Sequence, residues 1–123
     1  MTQSRSRIIP TLAGLLGVAM IAGGTMKLIG QAGQTTAFAG WGLPAWFRAL
    51  VGTFEVLGGL LLIAPATTPV GSLILSTIMV GALWTHAAHG EWPRLVPVIV
   101  MLILLLTTFR SNRAHAVRLL VGA

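Results

Sequence analysis

Residues 45–64 read AWFRALVGTFEVLGGLLLIA, a twenty-residue apolar run with a single carboxylate, Glu55, near its middle. A bilayer core takes about 20 helical residues to cross, so this run has the length of a membrane span. A carboxylate at that depth costs about 2.5–3.5 kcal/mol on insertion scales. Such a group faces a protein interior or a watery cavity, which makes Glu55 the first candidate functional residue. It is also the only acidic residue before position 91.

The rest of the chain agrees with a lipid solvent. Of 123 residues, 55% are hydrophobic and 8% charged, where a soluble domain carries about 25% charged residues. Mean hydropathy is +0.90. No soluble core of this size hides so much apolar surface. The net charge of +6 comes from scattered basic residues. No basic groove interleaved with aromatics is present, so a nucleic-acid partner is not expected. There is no cysteine, which excludes disulfides, thiolate metal sites and intrinsic thiol exchange.

Three more apolar runs flank the first, at residues 8–29, 70–88 and about 93–109. The run at 8–29 exceeds the apolar core of a signal peptide, about 7–15 residues, and is expected to be a retained span. Pro65 and Pro69 bracket a tight turn between the second and third spans. The fourth begins near Trp92 and Pro93, since proline suits a first helical turn. The expectation is an all-α integral membrane protein, a single domain of four antiparallel transmembrane helices with residues 110–123 as a short basic tail. Arg5 and Arg7 precede the first span, and Arg110, Arg113 and Arg118 follow the last. The positive-inside rule then places both termini in the cytoplasm, in a multi-pass protein of the cytoplasmic (inner) membrane. Trp41, Trp46, Trp84 and Trp92 all fall at or near the outward ends, as an interfacial belt would. The outer connection 30–44 has no charge but carries Phe38, Trp41 and Leu43, so it reads as a short helix lying on the bundle like a lid.

The polar residues gather at one end. Arg48, Gly52, Glu55 and Gly59 fall at i, i+4, i+7 and i+11 and share a helix face. Glu55 lies nine residues beyond Trp46, about 13 Å below the outer interface at the helical rise. Lys27 closes the first span, and His86 and His89 close the third beside Trp84. Lys27, Arg48, His86 and His89 thus occupy the outer third with Glu55 below them, while the inner half of every span lacks ionisable groups. Each has a plainer reading. Glu55 serves equally well as interhelical glue, and Lys27 and Arg48 as snorkelling cations. The spacing H-x-x-H is a weak metal signal with few carboxylates to complete it, so no metal is expected.

Three short motifs resemble one membrane family. GGTMKL at 23–28 is similar to the G-x-x-K-L signature of DoxX and DoxX-like proteins. GWGLP at 40–44 is similar to their G-L-P motif before the second helix, and GTFEVLGG at 52–59 to their G-x-x-E-x-x-G-G core. The histidine after the third span also fits, and the resemblance extends over residues 14–109. It implies a four-helix membrane protein, quinone-coupled redox chemistry as in thiosulfate:quinone oxidoreductase subunits, and membrane complexes handling thiol stress. It carries Lys27 and Glu55 over as the polar positions. The missing cysteines depart from relatives that use cysteine pairs.

Residues and resemblance together lead to one expectation: a polar cavity open to the outer leaflet that takes a small amphipathic ligand such as a quinone headgroup. Glu55 would exchange a proton, and Lys27 or His86 would hydrogen-bond a carbonyl oxygen. Arg48, Gly52, Gly59, Trp84 and His89 would line the site. The chain has no cofactor ligand set of its own, so electrons would come from a membrane or redox partner subunit. Two other classes stay open. One is a non-catalytic accessory subunit of a larger complex; the other is a lipid or weak-acid carrier, expected to be oligomeric because one four-helix unit is narrow.

Overall fold

The computed structural model describes the backbone of residues 2–122 and the side chains of residues 8–122. Five helices follow one another: α1 (Thr2–Leu28), α2 (Ala32–Gly40), α3 (Ala45–Ile63), α4 (Thr68–Ala88) and α5 (Trp92–Val121). All but α2 include a stretch long and apolar enough to cross a membrane. The protein is a multi-pass, all-α membrane protein. Arg5 and Arg7, used above to orient it, lie outside the described side chains.

The connections are written in the sequence. Gly30, Gly42 and Gly90 each adopt positive φ, between 69° and 74°, at the three turns on the α2 side of the bundle. An L side chain is strained there, whereas glycine is not. At the opposite end Pro65 stops α3, and Pro69 sits in the first turn of α4, where its missing N–H leaves nothing unsatisfied. The Thr67 and Thr68 hydroxyls donate to the Leu61 and Leu62 carbonyls, 2.8 Å each. They satisfy carbonyls that the end of α3 would otherwise leave bare.

Glycine sets how closely the helices approach. A Cβ placed on Gly24 would lie 2.6 Å from the Gly52 carbonyl oxygen, and one on Gly59 2.7 Å from that of Gly17. Seven residues back along α1 match seven forward along α3, so the two run antiparallel with their backbones nearly touching. Gly71 does the same for α4 against α3: its Cβ would meet the Gly58 oxygen and the Leu62 nitrogen at 2.6 Å. Among helices in lipid, small residues at interfaces permit the close packing that drives association. Helix α4 then packs on α5, and Ala13, Leu16 and Met20 of α1, Leu62 of α3, Leu75 and Met79 of α4 and Leu105 of α5 form the shared core.

Two features refine the sequence reading. The connection 30–44 holds a true helix, α2, with Phe38 buried beneath it. The basic segment after Phe109 continues α5 without a break to Val121, with Ala116 buried. About 30 Å of hydrocarbon takes only some 20 residues of such a helix.

Candidate functional site

The floor of the site is an ion pair between α1 and α3. Lys27 Nζ lies 3.0 Å from Glu55 Oε1 and donates to Oε2 at 3.3 Å. Glu55 is only 5% exposed. Glycines make room for it. A Cβ on Gly23 would stand 3.2 Å from Glu55 Oε2, and one on Gly52 would stand 2.9 Å from the Lys27 Cβ. The lysine stem therefore lies across the bare face of Gly52. Arg48 Nε donates to the Lys27 carbonyl at 3.0 Å, capping the last turn of α1. Arg48 thus fixes the backbone that carries Lys27.

Above this floor is a chamber of about 870 Å³ between α2, α3, α4 and the start of α5. Phe38, Phe47, Val51, Ile78, Met79 and Val98 give it apolar walls, and Lys27, Glu55, His86, Arg94, Gln31 and Gln34 contribute polar groups. A second, more open hollow of about 720 Å³ lies on the other side of α2, lined by His89, Glu91 and Arg94 among others. Gly33, Ala37, Trp41 and Arg94 border both spaces. Trp41 is thus part of the partition between them.

A three-residue cluster holds that partition. Glu91 Oε1 accepts from Trp41 Nε1 at 3.1 Å and lies 2.8 Å from His86 Nδ1. The Trp41 ring meets His86 edge-on at 5.4 Å and Phe38 at 5.2 Å. Glu91 is the N-cap residue of α5, yet its side chain makes no cap bond. It reaches back to α4 and to the end of α2 instead. The hydrogen bond from His86 holds its carboxyl below the ordinary value of 4.5, helped by the Trp41 N–H and the Arg94 charge, with partial burial opposing.

A pH dependence follows from that direction. A depressed carboxyl pKa means the latch is fully formed above pH 4.5 and is lost as pH falls through the lowered value. Hydrogen exchange at the α2 amides should therefore be slower in the wild type than in Glu91→Gln at neutral pH. The two should converge in acid. A difference that persists unchanged at low pH would mean that ionised Glu91 does not hold α2.

The sequence candidates separate into four groups. Lys27, Glu55 and His86 border the chamber together, with Trp84 at its mouth, 77% exposed. His89 lines the outer hollow, and its Nδ1 pairs with the Thr85 carbonyl at 2.8 Å. Gly52 and Gly59 face α1 and do not line the chamber, because their missing side chains are what lets α1 approach. Arg48 acts on the end of α1. Arg94 and the contacts of Glu91 were absent from the sequence reading, and Trp41 stood there only as an aromatic of the outer connection; Trp41 and Glu91 lie between helices, where helical spacing does not apply, and Arg94 lies in the first turn of α5. Among the described residues no three His, Asp or Glu side chains form a ligand set for a metal.

The family model described as "DoxX-like family" matches residues 11–108, most of the chain. No curated protein and no solved structure matches significantly.

Proposed function

The chain belongs to the DoxX-like family, and from that premise we propose that it binds a quinone-like amphipathic molecule in the chamber above Lys27 and Glu55. The observation that carries this reading is a buried ion pair at the base of an otherwise largely apolar space. Small-molecule pockets run about 300–1,000 Å³, mostly apolar with a few placed polar groups, and this chamber fits that description. A quinone, when bound, supplies two-electron, two-proton redox chemistry. The apolar walls suit its ring and tail, and the polar residues suit its oxygens.

In this reading the Lys27 ammonium donates to a ligand oxygen and Glu55 holds or releases a proton beside it. The contact between them, 3.0 Å, orients both groups before the ligand arrives. The α2 end faces outward, and the basic end of α5, with Arg110, Arg113 and Arg118, lies in the cytoplasm of a cell whose inner membrane holds the protein. Electrons come from a partner subunit in the same membrane.

The closed Lys27–Glu55 geometry, 3.0 Å, also favours a second reading. In it the pair only ties α1 to α3, and the protein is an accessory subunit. One purification separates the two. Wild-type protein extracted in native nanodiscs should carry a lipid-soluble quinone in near-stoichiometric amount, detected by mass spectrometry of the organic extract. Glu55→Gln keeps an acceptor oxygen for Lys27, so it should insert normally yet lose at least about tenfold of the bound quinone. Wild type that carries phospholipid alone would sink the binding reading.

A further inference from the structure

Resting on the binding role proposed above, we infer that His86 reads a hydroxyl: the ligand presents an O–H donor, as a hydroquinone or phenol does, to His86 Nε2. Glu91 determines this. Its Oε1 lies 2.8 Å from His86 Nδ1 and already accepts the Trp41 indole N–H, a group that can only donate. An ionised carboxylate accepts and never donates, so the short contact to Nδ1 requires the proton to sit on Nδ1. In a neutral imidazole that leaves Nε2 as a bare acceptor. The carboxyl of Glu91 is held below its ordinary pKa, so it stays an acceptor across the neutral range.

The ring is held in place. Trp41 packs edge-on against it, and Glu91 fixes one nitrogen. Nε2 has no hydrogen-bond partner among the described residues, while the side chain borders the chamber and is only 9% exposed. A group entering the chamber at this point satisfies Nε2 only by donating. A ketone oxygen there would oppose lone pair to lone pair. This differs from the donor role that the sequence suggested for His86. It makes the site prefer the reduced, hydroxyl-bearing state over its oxidised or methylated counterpart. Lys27, a donor without acceptor capacity, serves the opposite need on the chamber floor.

The experiment compares three probes of similar size, 1-naphthol, 1-methoxynaphthalene and 1,4-naphthoquinone. Each is measured by equilibrium dialysis against protein in nanodiscs, with empty nanodiscs subtracted. Wild type should bind 1-naphthol at least about tenfold more tightly than the other two. His86→Phe should bring the three within about twofold of one another through loss of 1-naphthol affinity. Equal binding of all three by the wild type would overturn the hydroxyl preference and leave the binding role standing. No binding of any probe would overturn both. Nitrogen-15 spectra of histidine-labelled wild type, assigned by loss of the His86 signal in His86→Phe, test the same point without ligand. A proton on Nε2 in place of Nδ1 would overturn the inference.

Discussion

Lys27→Met should lower the stability of the bundle by about 3–5 kcal/mol, the range found when one partner of a buried ion pair is removed. The reason is what remains. Glu55 is 5% exposed, its only hydrogen-bond partner among the described residues is Lys27, and the bare face of Gly23 packs against its carboxylate. Without the ammonium, the carboxylate keeps no hydrogen-bond donor among the described residues. The double replacement Lys27→Met with Glu55→Leu should regain most of the loss, because apolar substitutes of similar volume for a buried pair are often neutral or stabilising. The measurement is a double-mutant cycle of unfolding in mixed micelles. A single-mutant loss below about 1 kcal/mol would show that Lys27 snorkels to water and that the pair contributes little.

Gly71→Ala should be the most damaging of the alanine substitutions at glycine. Its new Cβ would stand 2.6 Å from the Gly58 oxygen, 2.6 Å from the Leu62 nitrogen and 3.0 Å from the Leu61 carbonyl carbon. All three are backbone atoms of α3, so no side chain can swing aside and α4 must move away. Overpacking of this kind costs about 1–3 kcal/mol and more when backbone has to shift. Gly24→Ala should behave similarly at the α1–α3 contact and should also pull Lys27 from Glu55. Gly14→Ala is the control, since nothing lies within 4 Å of the position a Cβ would take. There alanine should be neutral or stabilising by up to about 1 kcal/mol through helix propensity. Thermal denaturation in detergent distinguishes the three. Equal melting temperatures would mean that the glycine contacts do not set the interhelical distance.

These cases mark where sequence reasoning stopped. The stripe of Arg48, Gly52, Glu55 and Gly59 was legible, because 3.6-residue periodicity follows from backbone geometry alone. Its partner was not. The same stripe turns its glycines to α1 and extends Glu55 to the edge of the chamber, and spacing does not say which neighbour a face meets. Glu91 was visible only as a charge in a short connection. Its contacts with Trp41, fifty residues away, and with His86 arise because α2 folds back over the gap between α3 and α4. Nothing periodic announces that. Trp41 did stand out as an aromatic in a connection without charges, and that oddity was the one signal of a packed lid.

By itself the sequence determined that lipid is the solvent, that four segments cross it, that glycine and proline punctuate the turns, and that the ionisable groups gather at one end. Those properties add up residue by residue from transfer free energies and local backbone preferences. The tertiary structure alone decided that Lys27 pairs with Glu55, that Gly52 and Gly59 serve helix approach, and that Glu91 meets His86 and Trp41. Such pairings depend on the rotation of each helix about its axis and on the distance to its neighbour. Both are set jointly by contacts such as Gly24 on Gly52 and Gly71 on Gly58, which exist only once helices far apart in the chain have packed.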